Sequence, residues 1–128
     1  MMNMTSNLIT RLSKLDAPDR EVDGEIWRYL MSGEPRAVLH GPIPKLTASV
    51  DAAIALAERV LPGWGWELAS NTSHIKNCLN PEYGNPVGKH PHWAAVANQS
   101  SRKFVDGATP AIALCIAILR AKEASNAE

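Results

Sequence analysis

Gly63-Trp64-Gly65-Trp66-Glu67-Leu68-Ala69 and His92-Trp93-Ala94-Ala95-Val96-Ala97-Asn98 are the two stretches on which the fold turns. Each reads as a short strand, and the residues between them are polar and punctuated by proline and glycine. In the first, Trp64, Trp66 and Leu68 fall on one side while Glu67 and Ala69 fall on the other. Such alternation predicts a sheet with one packed face, so at least some of the tryptophans are expected in the core. Three of the four tryptophans and three of the four histidines lie between residues 63 and 104. Helical patterns flank this region on both sides. The expected class is therefore α+β, a small antiparallel sheet packed by about four helices.

The chain has 128 residues, enough for one domain with a real core and too few for two. Lys and Arg total 13 and balance 13 Asp and Glu, which excludes a global pull toward long nucleic acid or an anionic membrane. A small anion held locally stays open. Two cysteines, Cys78 in the polar loop and Cys115 in an apolar run, make no secreted disulfide framework and fit a reducing compartment. The first residues lack a signal-peptide pattern, and the longest apolar run, 111–119, is too short to cross a bilayer. A cytoplasmic setting follows as the expectation.

Leu8, Leu12 and Leu15 predict an amphipathic helix over 6–15, with Arg11 and Lys14 toward water. Asp19 can cap a second helix with Val22, Ile26 and Leu30 as its stripe, widened by Trp27 and Tyr29. The proline-rich stretch 32–45 is expected irregular, except for one short edge strand over 37–40. Thr47 or Ser49 caps a third helix whose buried face is Val50, Ala53, Ile54, Ala57 and Leu61; Pro62-Gly63 ends it. Thr109-Pro110 opens the last helix, a cap followed by proline at the first helical position. Residues 112–119 leave that helix no polar stripe, so it is either central to the domain or part of a subunit interface.

The run Thr47-Ala48-Ser49-Val50-Asp51-Ala52-Ala53, the Gly63-Trp64-Gly65-Trp66 that follows, and the closing Gly107-Ala108-Thr109-Pro110-Ala111-Ile112-Ala113-Leu114-Cys115 through Leu119-Arg120-Ala121 carry a family resemblance. Together they resemble the phage ABA-sandwich domain, a family of small phage and prophage proteins. The likeness runs over about 47–121 and is weaker before it. It implies a single domain over 1–128, an α/β/α sandwich, and a viral or prophage origin. It transfers no catalytic residue, and the insert 71–91 is particular to this chain.

Three constellations compete for a function. His74-x3-Cys78 with His90-Pro91-His92 offers nitrogen and sulfur donors that suit zinc. The spacing matches no established finger or ribbon, and a solvated loop is the stronger reading. For catalysis, no serine sits in a Gly-x-Ser-x-Gly turn, and Pro86 spoils the likeness of residues 84–89 to a phosphate loop. No enzyme, metal or cofactor is expected. The third constellation is a binding surface. Lys76, Lys89, His90, His92, Arg102 and Lys103 concentrate positive charge beside Trp66, Tyr83 and Trp93, with Asn98 and Gln99 able to read a base edge. Aromatic faces stack on bases and cationic side chains meet phosphates.

The expected function is a non-enzymatic, phage-derived, homo-oligomeric protein of the host cytoplasm that counters defence by sequestering a small nucleotide-type signal. The site would be Trp66, Lys76, Tyr83, Lys89, His90, His92, Trp93, Asn98, Arg102 and Lys103. The competing expectation is an inhibitor of a host defence enzyme or nuclease, anchored by Trp27, Tyr29 and Tyr83. A zinc enzyme is the third.

Overall fold

The computed structural model describes residues 4–69, 92–99 and 104–126. Its elements run α1 (Met4–Lys14), α2 (Arg20–Leu30), α3 (Arg36–Leu39), α4 (Val50–Val60), β1 (Gly65–Ala69), β2 (His92–Ala97), β3 (Val105–Gly107) and α5 (Pro110–Asn126). The strands form one antiparallel sheet in the order β1-β2-β3. The fold is α+β, as the patterning predicts. β3 was not legible, because three residues are too few to show a period.

Helix α5 fills the middle. Thr109 caps it, its Oγ1 accepting from the Ile112 amide at 3.1 Å, and Pro110 takes the position where no amide is needed. Residues 111–119 are all buried: α5 lies against β2 and β3, and its remaining faces meet α1 and α4. The all-apolar run 111–119 is therefore interior to the protomer. Its contact with the sheet is close enough to need glycine. A Cβ on Gly107 would stand 2.6 Å from the Ala113 amide nitrogen and 2.9 Å from its Cα.

A buried polar node ties the helices together. Asp23 and Thr47 are both 0% exposed. Asp23 Oδ1 accepts from the Thr47 hydroxyl at 2.7 Å and the Thr47 amide at 2.8 Å, while Oδ2 accepts from Arg20 at 2.9 Å. The Thr47 hydroxyl accepts in turn from the Asp19 amide at 2.8 Å. Thr109 Oγ1 donates to the Thr47 carbonyl at 3.3 Å, and Arg20 reaches the carbonyls of Ile43 and Pro44. The start of α2, the 43–47 strap and the start of α5 thus share one set of hydrogen bonds. Thr47 is spent here, and the cap of α4 is Ser49, whose Oγ accepts from the Ala52 amide at 3.2 Å.

Helices α1 and α2 present the expected stripes: Leu8 and Leu12 are buried with Val22 and Ile26, and Leu15 and Leu30 half so. Asp19 caps α2 through the amides of Glu21 and Val22. On α4 the buried face is Ala53, Leu56, Ala57 and the following Leu61; Val50 and Ile54 are only half-buried.

Two expectations are corrected. Residues 36–39 form a helical turn in place of the edge strand, closed by amide bonds from Val38 to the Pro35 carbonyl and from His40 to that of Arg36. Proline at 35 sets the start of that turn, and Val38 has a partner there that no local pattern reveals. Its carbonyl accepts from Trp27 Nε1 at 3.1 Å, so Trp27, 8% exposed, is a core residue and no exposed anchor. Tyr29 is likewise used internally, its hydroxyl bonded to Thr5.

Replacing Thr47 by valine keeps the shape but strips Asp23 and the Asp19 amide of a partner. The expected loss is about 2–4 kcal/mol in urea denaturation. Ser49→Ala, which removes only a cap, should lose about 1 kcal/mol in the same assay. Gly107→Ala must push β3 off α5, and about 1–3 kcal/mol of destabilisation is expected.

Candidate functional site

Strand parity and register decide which of the predicted site residues can act together. Trp66 lies opposite Val96, Leu68 opposite Ala94, and Gly65 opposite Ala97. Ala94 and Val96 pack into the main core with α5, and Trp64 and Leu68 pack against the same core. Trp66 belongs to that side of the sheet by parity, yet it is 40% exposed because β1 is an edge strand. Asn98 follows β2 with the parity of Val96 and is exposed. Trp66, the half-buried Trp64 and Asn98 therefore lie at one end of the sheet, Trp64 just before β1 and Asn98 just after β2.

His92 and Trp93 sit at the other end. Ala69 pairs with Trp93 and Gly107 with His92, so about 17–20 Å of extended chain separates them from Asn98 at the usual rise per residue. Trp93 also faces away from Trp66, beside Asp106 and Ala69 in the register. It is 1% exposed, and Ala95 on the same face is 0% exposed. From Trp93 to Val96 both sides of β2 are buried, and that departs from the single packed face expected. The run Trp93-Ala94-Ala95-Val96 is continuously apolar, which is how a strand covered on both faces reads. Trp93 as a stacking platform is thus corrected: its ring is core.

Two nitrogens on β2 are buried without a hydrogen-bond partner, His92 Nδ1 and Trp93 Nε1. They point to opposite faces, so they cannot serve one ligand. Lys76, Tyr83, Lys89, His90, Arg102 and Lys103 lie outside the described residues, as do His74 and Cys78. Among the described residues no three His, Cys, Asp or Glu side chains gather as ligands for one ion. Nor, among them, is any helix long and apolar enough to cross a membrane.

What remains at one end of the sheet is an exposed indole on β1 and a carboxamide just past the end of β2. An indole face takes planar, electron-poor or cationic groups, and a carboxamide offers paired donor and acceptor. The register could have been guessed from the sequence only by knowing the turn geometry across residues 70–91. The parity of Asn98 relative to Trp66 was therefore the missing signal.

Cys115 is the one described thiol. It is fully buried, its Sγ 3.3 Å from the Leu46 carbonyl, to which it donates. Burial, and secondarily the charge of Asp23, push it up to about 12. A thiol held protonated inside the core is no nucleophile.

No protein-family model matches the chain, and neither does any curated protein or solved structure.

Native protein treated with a maleimide at pH 8 should carry no adduct on the Cys115 peptide, and unfolding in guanidinium should expose it; peptide mapping reads both. The thiol also sets a pH dependence. Below its ordinary value of 9.0 both states are protonated and no stability is lost. Between 9.0 and about 12 only the unfolded chain gives up the proton, so folding stability falls as pH rises. The wild-type curve should drop below that of Cys115→Ala by about 1.4 kcal/mol per pH unit in that window.

Proposed function

We propose that this chain is a binding protein of phage origin that sequesters a small nucleotide-type signal inside an infected host, and so blunts a defence response. The observation that carries the reading is the exposed ring of Trp66 at the end of the sheet where Asn98 follows β2. A ring that is 40% exposed on an edge strand has room to stack a base, and an exposed amide beyond its cross-strand partner can contact the base edge. Of the ten residues of this proposed site, Trp66 on β1 and Asn98 just after β2 are the two that support the reading. Lys76, Lys89, His90, Arg102 and Lys103 supply the phosphate contacts in this proposal, and Tyr83 a further aromatic ring. Viral origin, the anti-defence role and the host cytoplasm come from the family resemblance.

Inhibition of a host protein is the weaker reading, because Trp27 and Tyr29 are occupied inside the protomer.

Titrating the purified chain with cyclic and linear nucleotides by calorimetry tests the proposal. At least one ligand should bind, and Trp66→Ala should weaken it by about 5–150-fold, the equivalent of about 1–3 kcal/mol of stacking. Heat with none of them, or an affinity unchanged by the substitution, ends it. Stoichiometric capture of a host enzyme with no nucleotide binding would favour the inhibitor.

A further inference from the structure

Helix α5 starts at one end of the sheet and runs toward the other. Gly107 stands against Ile112 and Ala113 near the start of the helix, and it pairs with His92 at the beginning of β2. From there α5 follows β2, where Ala94 and Val96 join its side chains in the core, and it also touches β1. The helix therefore finishes toward the end of the sheet where Trp66 stands.

Two repeats fix what meets there. From Ala113 to Arg120 is about two turns, or about 10 Å of helix. From His92 to Val96 is about 13 Å of strand, and Val96 is the residue opposite Trp66. Arg120 is thus roughly level with the Trp66–Val96 pair. Two turns also bring Arg120 to within about 20° of the direction in which Ala113 meets the sheet. Trp66 for its part faces the helix, since its pairing partner Val96 does. Residues 111–119 and Val96 are buried in this layer, whereas Arg120 and Trp66 are exposed, so solvent enters it where these two stand. Neighbouring carboxylates are turned elsewhere: strand alternation sends Glu67 to the other side of the sheet, and Glu123 accepts from Ser6 of α1 at 3.1 Å.

We propose that the opening between the end of α5 and β1 is the ligand cleft, in which a base stacks on Trp66 and its phosphate is held by Arg120. The inference rests on the nucleotide reading above and deepens it, adding a residue of α5 to the site. An indole face takes the base whatever its edge pattern, and a guanidinium meets two phosphate oxygens at once. The sheet supplies one wall and the helix the other, so base and phosphate are read from opposite sides. One guanidinium matches one phosphate group, so the unit recognised is a mononucleotide.

Calorimetry of the full chain with AMP, GMP, CMP and UMP, each beside its own nucleoside, tests the assignment. At least one monophosphate should bind about tenfold or more tighter than its nucleoside. Arg120→Ala should erase that preference and leave the nucleoside affinity unchanged, and Arg120→Lys should keep part of it. Trp66→Ala should weaken both forms. Arg120 is exposed, so circular dichroism of its variants should match the wild type. A phosphate preference that is absent from the wild type, or that survives Arg120→Ala, overturns the assignment while nucleotide binding stands. Mononucleotides that fail to bind where a cyclic dinucleotide does overturn it as well. No heat with any nucleotide or nucleoside ends both readings.

Discussion

The carboxylate of Asp23, closed off from water, is the constraint from which the arrangement of this protein follows. A buried charge is tolerable only when its lone pairs are filled, and here Thr47 and Arg20 fill them. That requirement fixes the residue that follows Leu46 against the first turn of α2. Thr47 then hands its carbonyl to Thr109, the cap of α5. The central helix is thus located by polar contacts at its N-terminus before any of its apolar side chains is counted. Because β2 and β3 rest on α5, the node also decides where the sheet lies.

Local signals in the sequence hold where a local cause produces the structure. Asp19 and Thr109-Pro110 cap their helices as their residue types require, and the leucine spacing of α1 marks its buried side. Tertiary partners account for the misses. Asp23 looks like a solvent-facing residue of α2, and nothing near it in sequence announces Thr47. Trp27 looks like an addition to an apolar face, and its indole nitrogen is in fact satisfied by a carbonyl in α3. Residues 36–39 have strand-forming composition, but a turn begun at Pro35 closes on itself first.

The layout of the expected binding surface was not legible in the sequence. Aromatic and amide groups do gather near the sheet, yet a strand of six residues is long enough to place His92 and Asn98 at opposite ends. Two tryptophans one strand apart can share a face only if their register positions share parity, and Trp66 and Trp93 do not. Composition carries no information on that point. The pairing register does, and it is set by a connection whose length hides it.

Helix α5 comes after every other described element in the chain, although it occupies the centre. On a ribosome the earlier helices and β1 therefore emerge without the surface they are shaped to cover. Their apolar sides wait uncovered until residues 111–119 have left the exit tunnel. Formation of the native core is in this sense a late and nearly all-at-once event, and nascent chains short of that point are natural clients for chaperones.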